Sequence, residues 1–492
     1  MRWRSIFCIA AMGLLAAQPV LSAQTASADH GKRLFAMHGS NTIGARLAPT
    51  LVEAFLRHIG GNDVVAHTLG DGKKRITARL PGEGVCHVEI AAEGSSTGFR
   101  DFLDGKCDLI MASRRARDAE AAAARAKGYG DLTRRPCEHV LGMDGIAVIV
   151  NRANPVERLT VAELARIFSG EITDWKAVGG TSAPIHVFVR DTDSGTYAVF
   201  RDKVMRSKRP TGDAKVFDSN SALSRGVLMD VSAIGFVGLP YVGANRPLAL
   251  SHGGSIPLRP SVFTVRTEDY VLSRRLYLYQ AKTPKNPLVS AFIPFALADD
   301  GQKLVKLAGF VDLSLLPERP QVAATDAPSP APASPGVVEP VDAGDAPPVM
   351  DDELFIDPEQ VRTLLSRDDV PDEYRAIAGE ADRLKVNFRF ETGSDDLDTL
   401  AHADIERLIG FKASPEFQSS RILLAGFADS RGDWDYNMKL SKDRAEAVYT
   451  ALKVAGLPVD RYEGFSEAVP VGSNETLEGQ ALNRRVEVWL KR

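Results

Sequence analysis

The chain reads as two folded units with a spacer between them: a larger α/β domain of alternating strands and helices, and a smaller α+β sandwich at the C-terminus. Three observations predict this. Short apolar runs, of the kind that parallel strands buried on both faces show, alternate with helical periodicities through the first three hundred or so residues. Between Glu318 and Val349 eight prolines stand among Ala and Asp with almost no large apolar residue, a composition that cannot bury enough surface to fold. Beyond it the strand and helix periods resume with different polar residues between them. The expected plan is a signal peptide over 1–28, an α/β domain over 29–317, a disordered linker over 318–350, an acidic and partly helical approach over 351–383, and the C-terminal sandwich over 384–492.

The N-terminus reads as an export signal. Arg2 and Arg4 precede an apolar stretch over residues 6–17, and small residues around Ser22-Ala23 and Ala26-Ser27-Ala28 offer cleavage points. About a dozen apolar residues fall short of the ~20 that a spanning helix needs. Cys8 lies inside this segment without the Leu-x-Gly/Ala-Cys arrangement of a lipoprotein. Export leaves Cys86, Cys107 and Cys137 in an oxidising compartment, where one disulfide and one free thiol are expected, with the pairing open. The histidines are scattered and no Cys/His cluster has metal-ligand spacing, so neither a metal nor a cofactor is expected. The formal charge of -4 comes from 60 basic and 64 acidic side chains without a sustained basic run, which argues against nucleic acid as a partner.

In the α/β domain, strands are expected at 33–37, 85–91, 109–112, 145–150, 185–189 and 234–237. Leu47, Leu51, Phe55 and Ile59 recur at helical spacing, and a second helix over 159–168 has Thr160 as its cap. Three strands run into Gly/Ser/Thr turns and then into helices: Gly39-Ser40-Asn41-Thr42, Gly94-Ser95-Ser96-Thr97, and the loop from Arg190 to Thr196. Such turns gather unpaired N–H groups, hydroxyls and the positive end of a helix dipole, which favour an oxyanion. A tetrahedral oxyanion has many acceptor positions, so a dry site needs many donors and little fixed charge, and the planar fork of an arginine bonds two oxygens at once. Taken singly, each turn is ordinary loop chemistry; the three together point to an anion site.

These residues, with Met111-Ala112-Ser113-Arg114 and Ile234-Gly235-Phe236, resemble the phosphate-specific periplasmic binding proteins that feed ABC transporters, over residues 32–316. The resemblance implies the type II fold of two α/β lobes joined by crossing strands, closing over a dehydrated anion. It also implies contacts from Ser40, Asn41 and Thr42, a second cluster at Ser95, Ser96, Ser113 and Arg114, and donors from Arg190, Ser194, Gly195 and Thr196 across the cleft. Some members carry an Asp where this chain has Arg114, and that carboxylate accepts the proton of hydrogen phosphate and rejects sulfate. Two readings of Arg114 stand: it favours a more anionic ligand or an organic phosphate, or it is paired with Asp118 or Asp193.

In the C-terminal domain Leu384, Val386, Phe388 and Phe390 alternate as a strand, and Leu397, Ala401, Ile405 and Leu408 lie on a helix. A strand over 421–427, a helix over 437–454 ending before Gly456, and an alternating strand with Val486, Val488 and Leu490 follow. Gly426-Phe427-Ala428-Asp429, Gly432, Asn437, Leu440-Ser441, Arg444-Ala445 and Asn483-Arg484-Arg485-Val486-Glu487 resemble the OmpA-like peptidoglycan-binding domain. In that family an Asp and an Arg fifteen residues later hold the two charges of a diaminopimelate side chain. The resemblance puts these roles on Asp429 and Arg444, with Asn437 ordering the loop. An Asp/Arg couple suits a zwitterion, whereas the same pair as a surface salt bridge is worth little.

No enzyme is expected. Asp193-Ser194-Gly195 lacks a Gly-x-Ser-x-Gly elbow and a placeable His/Asp pair. The combined reading is a periplasmic binder of phosphate or a similar oxyanion, associated with the cell wall and outer membrane, whose spacer lets the ligand domain sample space near its anchor. It serves ABC transporter membrane subunits in one version; in the other it is an envelope structural or sensing protein.

Overall fold

In the computed structural model, residues 31–70, 72–192, 194–315, 362, 365–368 and 370–492 are described. The expected signal peptide, the linker and the first part of the acidic approach lie outside the described residues. The large domain contributes β1 (Lys32–Gly39), β2 (Asn62–Gly70), β3 (Lys73–Leu80), β4 (Gly84–Ala92), β5 (Leu109–Ala112), β6 (Glu138–Val150) and β7 (Arg158–Thr160). It continues with β8 (His186–Arg190), β9 (Lys215–Phe217), β10 (Ala233–Gly238), β11 (Arg246–Pro247), β12 (Ala249–Ser251) and β13 (Ser273–Tyr279). Eleven strands form one sheet in the order β2-β3-β4-β1-β5-β13-β6-β10-β8-β9, with β11 on β6.

Register divides this sheet into two lobes. β1 runs parallel to β4 and β5, and β8 runs parallel to β10 and β9. The antiparallel pair β6/β13 joins them, because β13 pairs β5 in the first lobe while the far half of β6 pairs β10 in the second. β6 begins at Glu138, earlier than the expected strand, since nearly all of this run is buried. Each lobe has its own apolar core: Phe35, Phe55 and Phe292 pack together in the first, and Phe168, Phe200 and Phe236 in the second. The helix capped by Thr160 forms as expected over Val161–Phe168, with a capping box to Glu163.

The cysteine expectation is corrected. Cys86, Cys107 and Cys137 are all free thiols, each buried at a separate place in the fold. Burial, with Asp101 adding to it, pushes the Cys107 thiol up to about 12, and burial also raises the other two. Thiolate is the reactive form, so none should react in the folded chain. A thiol titration with a disulfide reagent should therefore give essentially no fast reaction until denaturant is added; rapid labelling of the native chain contradicts this placement.

The C-terminal domain is a four-stranded sheet of β14 (Asp382–Arg389), β15 (Arg421–Gly426), β16 (Val459–Gly464) and β17 (Arg485–Lys491), in the order β14-β17-β15-β16. Helices Thr399–Ala413 and Trp434–Val454 bury Leu408, Phe411, Val448 and Leu452 with Val386, Phe388 and Val488 of the sheet. The acidic approach supplies helix Asp372–Glu380, whose Tyr374 packs edge-on against Phe427, Phe465 and Trp489. Its hydroxyl donates to the buried Glu487 at 2.9 Å.

The two domains are docked, which corrects the picture of a ligand domain swinging about an anchor. Asp269, in the loop before β13, accepts from Arg383 at 2.5 Å, Asn387 at 2.9 Å and Arg389 at 2.8 Å, all on β14. Arg266 meets Asp404 at 2.5 Å with both side chains essentially sequestered from solvent. Arg275 of β13 bridges Glu268 and Asp398, and Thr399 donates to Glu138 of β6 at 2.6 Å. Apolar contacts continue across: Leu400 joins the core of the large domain, and Ile256 joins a cluster with Phe465 and Val469. Sequestered charges cost heavily unless each is paired and hydrogen-bonded, and here complementary groups from both domains supply the pairing.

Candidate functional site

Parallel strands place their carboxyl ends, and hence the turns that follow them, along one cleft between the lobes. The turn after β1 starts at Gly39, whose φ of 138° puts it in the region that favours glycine, and a Cβ there would lie 2.0 Å from the Met111 carbonyl oxygen. Asn41 and Thr42 then lead through a wide π turn, Ile43–Leu47, into helix Ala48–His58. Across the cleft Ser194 caps helix Gly195–Phe200, accepting from the Tyr197 N–H, so its hydroxyl hydrogen is left to present outward. The N–H groups of Gly195 and Thr196 belong to the first turn, where no carbonyl four residues back can take them. That helix also continues into a π turn, Arg201–Met205.

The cleft encloses about 940 Å³ and is lined by Asn41, Thr42, Arg190, Ser194, Gly195 and Thr196, among others. Arg190 is held by Asp191 at 3.1 Å and by the Asp218 carbonyl at 2.9 Å, both through one terminal nitrogen. Its buried Nε has no partner among the described residues. A guanidinium fixed at one corner and unsatisfied on its edge is prepared for an oxyanion. Lys74 and Arg46 extend the basic lining, with Lys74 donating to the Ala45 carbonyl at 2.6 Å and burial lowering its pKa.

Other expected residues sit apart from this lining. Ser40 is buried in the first turn, its N–H donating to the Met111 carbonyl. Ser95, at the start of helix Ser95–Leu103, accepts from the Ser113 N–H at 3.1 Å, and Ser96 accepts from Arg114 at 3.0 Å. Arg114 has no ion pair with Asp118 among the described residues, and Asp193, the other partner considered above, lies outside them. Its two terminal nitrogens fork onto Glu120 at 2.8 and 2.7 Å, and its plane lies over Phe99. Glu120 holds the third position of helix Asp118–Ala126, where a side chain reaches back past the helix start.

Two residues that sequence reasoning missed complete the cleft. Asp144 of β6 and Arg274 of β13 are direct cross-strand partners where β6 passes from one lobe to the other. Arg274 bonds Asp144 at 3.0 Å, Thr42 at 2.7 Å and the Gly195 carbonyl at 3.2 Å, so it ties both lobes to the crossing strands. A Cβ on Gly195 would lie 2.4 Å from Thr42 Oγ1, so only glycine lets the lobes approach this closely. The only sequence signal was a pair of arginines heading an otherwise apolar run, Ser273–Tyr279.

In the second domain Asp429 is buried and accepts from Arg431 at 2.9 Å and Arg484 at 2.8 Å. Burial alone would raise its pKa, but these two arginines and the Arg431 N–H hold it at about 2. Arg444, also buried, donates to the carbonyls of Ser394, Phe427 and Glu391. Burial and then the Arg484 charge lower its pKa to about 10, leaving it cationic at neutral pH. Asn437 donates to Glu467 at 2.7 Å, and its Oδ1 has no partner among the described residues. Arg431 and Arg484 thus join the pair that the resemblance implied.

Comparison with known proteins agrees with this architecture. Residues 82–300 match the PBP superfamily domain, and residues 389–484 match the OmpA family. Protein SphX of Synechococcus elongatus is 33% identical over 251 residues, which are 49% of this chain and 72% of that protein. The phosphate-binding protein PstS of a Staphylococcus epidermidis strain is 30% identical over 46% of this chain and 69% of that protein. The chain belongs to the SphX/PstS family of binding proteins. A possible phosphate-binding protein from Planctomyces limnophilus, solved by crystallography, is 27% identical with a TM-score of 0.47, covering 57% of this chain and 93% of that one. The PBP superfamily match ends at residue 300, and the OmpA match at 389–484 marks a second, separate unit.

Proposed function

We propose that this SphX/PstS-family chain captures phosphate or a closely related oxyanion between its lobes in the periplasm, while its OmpA-like domain holds it to peptidoglycan. The observation that carries the reading is Arg190: a cleft guanidinium with an unpartnered buried Nε, facing hydroxyls and helix N–H groups from both lobes. The role is binding rather than catalysis, and it places the chain beside the membrane subunits of an ABC importer. Calorimetry of the full chain with phosphate, sulfate and a phosphonate tests the anion reading. Saturable binding of phosphate is expected; no saturable anion binding ends it.

Wall attachment is assigned to Asp429 and Arg444, with Asn437 ordering the loop between them. A sequestered ion that loses its partner costs about 2–5 kcal/mol in binding, so Asp429→Ala and Arg444→Ala should each abolish co-sedimentation with purified peptidoglycan at micromolar protein. Because Asp429 keeps its charge down to about pH 2, attachment should not weaken between pH 7 and pH 4 through this group. Co-sedimentation unaffected by both substitutions refutes the assignment.

A second reading, an envelope sensor, draws on the docked interface. The C-terminal domain grips both crossing strands, with Thr399 bonding Glu138 of β6 and Asp398 accepting from Arg275 of β13. Anion affinity that changes when the chain is loaded onto peptidoglycan favours the sensor, and capture of transporter membrane subunits favours import.

A further inference from the structure

We propose that the C-terminal domain rides on the second lobe and clasps the first, so that it sets the angle between the lobes and opposes their parting. The inference concerns the hinge rather than the anion cleft, and it needs neither ligand to be identified. Its basis is the uneven way in which one sandwich touches the two halves of the large domain.

On the second-lobe side the grip is sequestered. Helix Val262–Arg266 lies against Gly145, where β6 enters the second lobe, and a Cβ on that glycine would come within 2.4 Å of the Val265 side chain. Arg266 at the end of this helix meets Asp404, and Asp269 just beyond it takes Arg383 and Arg389, all of them buried. Farther into the lobe, the Ile256 N–H donates to the Pro470 carbonyl at 3.2 Å, and Arg206 approaches Glu478 at 3.7 Å.

The first-lobe side is held by contacts open to water. Arg115, three residues beyond β5, pairs with Glu391 at 2.8 Å, and Arg135, three residues before β6, forks onto Glu406 at 2.8 and 3.3 Å. The side chains of Arg135 and Glu406 are 41% and 65% exposed, and that of Glu391 is 74% exposed. Exposed ion pairs are individually weak, whereas stranding a sequestered charge is costly. When the lobes change angle, the second-lobe contacts therefore stay and the first-lobe pairs give way.

The lobes turn about β6 and β13, so any change of angle carries Arg115 and Arg135 away from a sandwich fixed to the other lobe. Arg115 also bonds Glu138 of β6 at 3.2 Å, and Glu391 gives its backbone carbonyl to Arg444. The clasp is thus continuous with a crossing strand on one side and with the Asp429/Arg444 site on the other. Each pair it makes shifts the balance of lobe angles toward the close approach of Gly195 to Thr42.

Pulsed electron-spin distance measurements on the full chain test this. Labels at Arg57→Cys on the first lobe and Ala177→Cys on the second, both exposed, report the angle in a chain that also carries Cys8→Ser, since Cys86, Cys107 and Cys137 are buried. The chain with its clasp intact should give one narrow separation. Combining Glu391→Gln with Glu406→Gln should raise the population at other separations by about tenfold, because two exposed pairs are lost. Glu406→Arg should act in the same direction, and adding Arg135→Glu to it should restore the narrow separation. A distribution unchanged by the paired glutamine substitutions, or one that Arg135→Glu fails to restore, overturns the clasp, as does a broad distribution before any clasp residue is changed. No anion enters this measurement, so a chain that fails to bind phosphate ends that reading and leaves the clasp to be decided by the distances.

Discussion

Replacing Arg190 by alanine is expected to weaken phosphate binding by about two to three orders of magnitude, roughly 3–4 kcal/mol, without unfolding the chain. The guanidinium sits at the end of β8, positioned by Asp191 and the Asp218 carbonyl, with its Nε unspent. Its removal takes away the charge-assisted donor that lines the cleft from the second lobe, beside the hydroxyls of Ser194 and Thr196. Arg190→Lys should recover only a small part of the loss, because a point charge cannot bond two oxygens in one plane. Titration calorimetry measures both variants, and thermal unfolding shows that each retains the fold. Affinity within about threefold of the native value in Arg190→Ala removes Arg190 from the site.

Asp269→Ala is expected to undo the docking of the two domains. Burial alone would raise the pKa of this carboxyl, but Arg383, Arg389 and Arg485 hold it below the usual carboxylate range. Deleting it leaves Arg389 with only the more distant Glu268, at 4.0 Å, as its ion-pair partner and Arg383 with Glu487, and breaking a sequestered ion pair by removing one partner costs about 3–5 kcal/mol. Small-angle scattering should show a larger radius of gyration, and unfolding should split into two transitions. The pH dependence has a definite sign. A carboxyl with a lowered folded pKa contributes stability that is fully present above its unfolded value, near 3.9, and is lost as pH falls through the folded value. Docking should therefore hold from neutral pH to about pH 4 and fail only in stronger acid. Unchanged scattering and a single unchanged transition in Asp269→Ala mean that the domains are held by the other contacts across the interface, such as Arg266 with Asp404 and the apolar Leu400 and Ile256.

Much of the fold was legible because local rules and tertiary packing agree there. β1, β4, β5, β8 and β10 are short apolar runs with Gly, Ser or Asp at their ends or within two residues beyond, and Thr160 with Glu163 spells a capping box. The C-terminal sandwich was legible for the same reason, from alternation in β14 and β17. β2 was not, because it is exposed on both faces and its residues carry no apolar period. β13 was missed since Arg274 and Arg275 look like solvated cations until their partners Asp144, Glu268 and Asp398, distant in sequence, are brought beside them.

By itself the sequence determined the donor-rich turns, the strands that lead into them and the Asp429/Arg444 domain, since all of these rest on residues within one turn or one element. Only the tertiary structure decided which of those donors face the cleft, that Arg114 is spent on Glu120, that Asp144 and Arg274 meet at the crossing strands, and that the wall domain is docked. Each of these depends on pairing between charges far apart in the chain. Such pairing leaves no periodicity in a single sequence, because a charged residue that will be buried against a distant partner is written with the same letters as one left in water.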